Sequence, residues 1–309
     1  SVQITTVQFS KSSLQSGHVY ITESSLSHQS GLELARSIPH DNLVHALVLS
    51  DGLAVNGSDL VKGLKDGFPA SVSISGGLSA DMEAFKKTVV LTPKGFESQA
   101  AVVIGFYGKA LHVGYGSAGG WDPFGPTRLI TRSNQNILYE LDGKSSLELY
   151  KVYLGEHAGG LPAAGVLFPL SLMEQPHGGD ELVRTVLAVD EAEKCMIFAG
   201  NMPQGAYARM MKADTDRLID GANRAAQISL QRMPPKNQPQ LAILISCIGR
   251  HMVMKQRVEE EVETVKDILG EKCRLTGFYS YGEISPLEPG KPCELHNQTM
   301  TITTFSEEK

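Results

Sequence analysis

The sequence predicts a mixed α/β (α+β) protein of two related halves, each a mixed or antiparallel sheet flanked by helices, with the sheets packed together. Three observations predict it. Apolar runs with strand-like alternation are bounded by turns rich in Gly, Asn, Asp and Ser. Segments with apolar residues at helical spacing stand between several of these runs. One order (strand, polar turn, helix, strand with small residues, strand) occurs near the start of the chain and again near its end. The boundary is expected at 142/143, giving domains 1–142 and 143–309.

"VQITTVQFS" alternates as a first strand, and Leu32, Ala35 and Ile38 space a short helix stopped at Pro39. "LVHALVLSDG" reads as a buried strand ending in a Ser-Asp-Gly turn, and Ser58 as the N-cap of a helix through Leu60, Val61, Leu64 and Phe68. "ASVSISGGLSAD" is a strand running into paired glycines; "KTVVLTPKG", "QAAVVIGFYG" and "KALHVGYG" follow as consecutive antiparallel strands. "TRLITRSNQNILYELDG" makes two strands around an Asn-Gln-Asn turn, and "SSLELYKVYLG" a helix with a Ser cap and Gly155 as its C′ residue. "GGLPAAG" and "EQPHGGDE" are loops; "LVRTVLAVD" and "KCMIFAGN" are strands. A long helix is expected over 207–230, with Met210, Met211, Leu218 and Ala222 on its apolar face. After the connector "QRMPPKNQPQ", "QLAILISCIGR" matches "HALVLSDGL", a helix carries Val258, Val262, Val265 and Leu269, and "LTGFYSYGEIS" and "CELHNQTMTITTF" supply the last strands. The acidic run Glu259, Glu260, Glu261 and Glu263 reads as a solvated flank.

The 309 residues are 41% hydrophobic and 20% charged, with a net charge of −6, which fits a soluble globular protein and argues against nucleic-acid binding. The four cysteines form no C-x-x-C pair, so neither a zinc ribbon nor a disulfide scaffold is expected. No secretory leader is visible, and no run of ~18 apolar residues could span a bilayer. A cytoplasmic protein with no membrane partner, no metal and no cofactor is the expectation.

"GYGSAGG" has the Gly-x-Gly-x-x-Gly spacing of a dinucleotide loop. That loop works only where its last glycine opens a helix. Gly119 is followed instead by "GWDPFGP", whose Pro123 and Pro126 forbid one. The motif therefore reads as a strand end entering a Gly/Pro loop that carries Trp121. Nucleophile-elbow, zinc-protease and EF-hand signatures are absent.

Two polar turns carry the chemistry. In "SCIGRH", Cys247, Arg250 and His251 sit between a strand and a helix, where a thiol can be activated or an anion held; a half-buried Cys with Arg covering the sheet edge is the structural alternative. In "SYGEIS", Glu283 at a strand end can bind an ammonium group or satisfy backbone donors. If both turns share one end of the sheet, Arg250 would take a carboxylate and Glu283 an amine, the pattern of an amino-acid site.

The segments "SCIGR", "GFYSYGEISP" and "CELHNQTMTITTF" resemble the C-terminal half of the FIST-domain proteins. "DPFGPTRLITRSNQNILYELDGKSSLELYKVYLG" is similar to the family's central segment, and "ALVLSDGL" with "VSISGGLSAD" to its N-terminal half. The resemblance implies a sensory module of bacterial signal transduction that binds a small molecule, such as an amino acid or a derivative. It also implies a separate output partner: a histidine kinase, a cyclic-dinucleotide enzyme or a chemoreceptor. The expected ligand-binding set is Arg250, Glu283, Tyr281, Cys247, Asp51, Ser75 and Trp121. Two rival readings are a hydrolase or transferase using Cys247 with His251, and a protein-interaction scaffold.

Overall fold

The computed structural model describes residues 4–176, 182–287 and 291–308. In chain order the elements begin with β1 (Ser13–Tyr20), α1 (Ser27–Arg36), β2 (Leu43–Ser50), α2 (Gly57–Gly67) and β3 (Ser73–Ser79). Next come β4 (Val90–Thr92), β5 (Gly95–Glu97), β6 (Ala100–Tyr107) and β7 (Leu111–Ala118). The middle of the chain holds β8 (Trp121–Asn134), β9 (Ile137–Leu141), β10 (Lys144–Ser145), α3 (Ser146–Leu154) and β11 (Leu170–Met173). It continues through β12 (Leu182–Arg184), β13 (Val186–Asp190), β14 (Cys195–Phe198) and β15 (Tyr207–Ala213). Last are α4 (Thr215–Gln231), β16 (Leu241–Cys247), α5 (Ile248–Met254), α6 (Val258–Leu269), β17 (Arg274–Pro286), β18 (Cys293–His296) and β19 (Met300–Glu307).

The repeated order seen in the sequence becomes a two-fold arrangement within one nine-stranded sheet. Its strands run β1-β6-β2-β3-β17-β16-β19-β7, with β18 added to β17. Read inward from either edge, β1-β6-β2-β3 corresponds to β7-β19-β16-β17. In each unit the inner two strands are parallel and the rest antiparallel. The units join where β3 meets β17 antiparallel, Ser79 opposite Ser280. The turns after β2 and β16 therefore both end near the middle of the sheet. A second, eight-stranded sheet, β12-β11-β15-β8-β9-β14-β13 with β10 on β9, is inserted between β7 and α4.

Helices α1 and α2 cover one unit over Leu34, Leu60, Leu64 and Val48, and α4 and α6 cover the other over Ala225, Val265 and Ile302. On the opposite face Phe106 stacks on Phe305 at 4.7 Å beside Leu47 and Ile245. The second sheet and α3 enclose a third core around Leu147, Tyr150 and Phe198. No helix among the described residues is long and apolar enough to cross a membrane.

Several expectations are corrected. The first strand is β1, not "VQITTVQFS": residues 4–9 have no ladder partner among the described residues, and of that segment Phe9 packs, edge-on to Phe106. β6 and β7 are strands but not neighbours, because β7 crosses to β19 while β6 lies between β1 and β2. The helix expected from Tyr207 starts at Thr215; Tyr207–Ala213 is β15, hydrogen-bonded to both β8 and β11, and Asp214 caps α4 by accepting from Asp216 N. "GWDPFGP" opens β8 rather than forming a loop, its prolines tolerated beside an irregular register with β15. The α2 cap is Asn56, accepting from Asp59 N at 3.2 Å, which leaves Ser58 Oγ free for another contact. Glu261 is fully buried, not solvated. The loop expected at "EQPHGGDE" lies partly outside the described residues.

Candidate functional site

Strand β2 leads directly into Asp51, whose carboxylate is wholly engaged by the chain. Oδ1 accepts from Leu53 N (2.7 Å), Ala54 N (2.9 Å) and Thr88 Oγ1 (2.7 Å), and Oδ2 from Gln99 N (2.9 Å). This closes the turn after β2 and holds the segment carrying β4 and β5 against it. Gly52 is required there: a Cβ would stand 2.0 Å from Ser79 O and 2.9 Å from Tyr281 Cδ2. The turn thus rests directly on Tyr281 of β17. The Tyr281 ring stacks on Phe85 with centroids 4.5 Å apart and planes 8° apart, and its hydroxyl meets the Asp81 carboxylate and Met82 O. Burial, then Asp81, push the phenol well above its ordinary range. Desolvation works upward on Asp81, but the Tyr281 hydroxyl and the amides of Lys87, Lys86 and Phe85 hold it at about 2.

In front of Tyr281 opens a cleft of about 250 Å³. One wall is the turn after β2 with Leu53 and Val55; the other is second-sheet chain, the Gln135–Asn136 turn and residues 197–200. Asn201 ties the walls together: its N–H donates to Ser58 Oγ (3.1 Å), its Nδ2 to Asp59 (2.9 Å), and its Oδ1 accepts from Asn56 Nδ2 (2.9 Å). Arg184, buried, adds contacts to Asn201 O (3.2 Å) and Leu295 O (2.9 Å); desolvation lowers its pKa to about 10.

Cys247, Arg250 and Glu283 cluster on the other side of the β3–β17 seam, at the end of β16. Arg250 is fully buried, and its Nε donates to Glu261 (2.7 Å), Nη1 to Gly119 O (2.9 Å) and Nη2 to Leu218 O (2.7 Å). It therefore joins α5 to α6, α4 and the end of β7. Glu283 accepts from Ser280 Oγ (2.5 Å) and from Thr299 N (3.1 Å) and Oγ1 (2.9 Å). Its burial raises the carboxyl pKa to about 8 against the pull of those donors and of Arg250. Burial, then the Glu283 charge, push the Cys247 thiol upward, although the amides of Gly249 and Gln298 face it. A nucleophilic thiol needs the reverse shift. The other three cysteines are also buried and free.

The remaining two expected residues lie apart. Ser75 sits on the opposite face, bonded to His45 Nε2 (2.9 Å) and Thr303 Oγ1 (2.7 Å). Trp121 is buried against Met211, Leu218 and Met254 and donates from Nε1 to Gln298 O (2.9 Å). Of the seven, Tyr281 lines the cleft and Asp51 builds its rim, while Cys247, Arg250 and Glu283 form a separate, internal polar cluster. Phe85, Gln135 and Asn136 were missed by sequence reasoning. The Asn-Gln-Asn segment reads as a turn, but nothing local says that it faces the turn after β2.

The FIST N domain matches residues 1–144 and the FIST C domain residues 146–286. No curated protein matches the chain. Among solved structures, the "cyanuic acid hydrolase from A. caulinodans" aligns over 96% of this chain and 99% of its own at 10% identity with a TM-score of 0.22, too low to carry an argument. With the two FIST segments matched in order over nearly its whole length, this chain belongs to the FIST-domain proteins, whose FIST domains are sensory domains of signal transduction.

Proposed function

We propose that this protein senses a small molecule in the cleft in front of Tyr281 and passes its occupancy to a signalling partner of the histidine-kinase, cyclic-dinucleotide or chemoreceptor type. The observation that carries the reading is the position of the cleft. It lies where the first unit, strand β17 of the second unit and the inserted sheet meet, so a bound ligand touches all three. Its walls are bridged by polar contacts through Asn201 rather than by apolar packing, and such an interface rearranges at low cost. Recognition of a free amino acid by Arg250 and Glu283 would require each to give up its present partners. The cleft is the more accessible receptor.

The test is a thermal-shift screen of a broad metabolite library against the wild type and Leu53→Trp, which narrows the cleft from an exposed position. The expected result is at least one compound that raises the Tm of the wild type and not of the variant. A library with no such compound would refute the reading.

A further inference from the structure

The walls of the cleft indicate which chemistry it accepts, on the reading that it is the ligand site. No Asp, Glu, Lys, Arg or His side chain lines it among the described residues. The charges around it are engaged by the chain: Asp51 by four donors, Asp81 by Tyr281 and the amides of Lys86 and Lys87 (2.8 Å each), Asp59 by Asn201 Nδ2, and Arg184, behind Gly200, by the carbonyls of Asn201, Val183 and Leu295. An ion entering would lose its hydration with no charged side chain lining the cleft to replace it.

The polar side chains that remain are the Ser24 hydroxyl at the cleft's edge and amides. Asn136 donates Nδ2 to Phe198 O at 2.9 Å, which leaves its Oδ1 as an acceptor. Gln135 projects from the same turn with an exposed side chain, offering both an N–H donor and a carbonyl acceptor. Asn56 contributes neither, since Asp59 N and Asn201 occupy both of its ends. Apolar side chains and the Phe85–Tyr281 stack make up much of the rest, a surface suited to a flat ring. A volume of about 250 Å³ lies below the usual range for drug-sized ligands, so one ring fits.

We propose that the cleft takes an uncharged, planar, single-ring ligand carrying an amide or lactam group, with its N–H on Asn136 and its carbonyl or N–H on Gln135. Carboxylates and free amino acids are excluded.

Matched probes test this: nicotinamide against nicotinate, and uracil against orotate, with alanine as the amino acid. Each is followed by saturation-transfer NMR at millimolar concentration on the full chain. Nicotinamide or uracil should give a transfer signal that falls several-fold in both Leu53→Trp and Gln135→Ala. Both positions are exposed, so unchanged melting confirms that the variants fold. The charged partners and alanine should give none. The inference is overturned if neither neutral probe binds, or if binding is unchanged in both variants. It is overturned equally if a charged partner binds as well as its neutral mate. Should that charged signal vanish in Leu53→Trp, the cleft remains the sensory site and only the ligand class fails.

Discussion

At Arg250 a full positive charge is held inside the protein, with Glu261 and two backbone carbonyls as its partners. Removing one member of such a pair strands the other, whereas removing both leaves no buried charge. Arg250→Met should therefore cost about 3–5 kcal/mol in urea unfolding, and Arg250→Met with Glu261→Leu should recover much of that loss. Equal losses in the single and double variants would show that the pair is not what holds this corner. Glu283 makes a pH prediction. Its folded pKa of about 8 lies above its ordinary 4.5, so its stabilising contribution is complete below that ordinary value and is lost as the pH rises through about 8. His45 and His296, lowered by burial to about 3 and about 4, act in the opposite sense, with stability present above 6.5 and lost as the pH falls. The difference in Tm between wild type and Glu283→Gln isolates the carboxyl: it should move against the wild type as the pH is raised from 5 toward about 8, and a flat difference would refute the assignment. Arg250 and Glu283 were legible in sequence as special positions, but their partners were not. Glu261 stands at spacings of three and four from Val258 and Val265, on the inward stripe, and that signal was masked by the three acids around it.

Among the elements, α1 and α2 approach closely because glycines stand at their crossing. A Cβ at Gly63 would lie 2.0 Å from His28 O, and one at Gly31 would lie 2.3 Å from Leu60 O. Gly63→Ala sets two effects against each other. Alanine raises helix propensity by about 1 kcal/mol, while forcing apart a packed backbone costs about 1–3 kcal/mol. The clash is with a carbonyl and not a flexible side chain, so the cost should prevail: chemical denaturation should show a net loss, and a gain would mean that the helices can separate freely. The same close packing explains which elements the sequence reveals. Strands β2, β3, β16 and β17 and helix α3 are readable because their apolar pattern and their caps agree. β15 was read as helix because Met210, Met211, Leu218 and Ala222 satisfy a helical stripe across the junction. Only its two neighbours β8 and β11, both remote in sequence, make the segment a strand, and Asp214 then starts the helix about two turns later than the pattern alone suggests.

For the whole molecule, the repeated order foretold the two units, but nothing local indicates that they share one sheet or that β7 leaves the first unit. Long-range pairing decides both: β7 matches β19 over eight residues, and β3 meets β17 through Ser79–Ser280 and the pairs beside it. This bears on the expected division at 142/143. Residues 1–142 alone would carry β7 without its ladder partner β19, and the β8–β9 hairpin without β14 and β15. Residues 143–309 alone would leave β19 and β15 each short of a neighbour and Arg250 without Gly119 O. Each fragment would expose apolar surface that the other buries, and a fold of marginal net stability does not survive that exposure. We therefore expect both fragments to give poorly dispersed NMR spectra alone and a native-like spectrum only when combined, and the intact chain to unfold in a single transition by circular dichroism and fluorescence alike. A well-dispersed spectrum from 1–142 by itself would mean that the first unit is autonomous. Ligand binding at the cleft could then not depend on the two units folding as one.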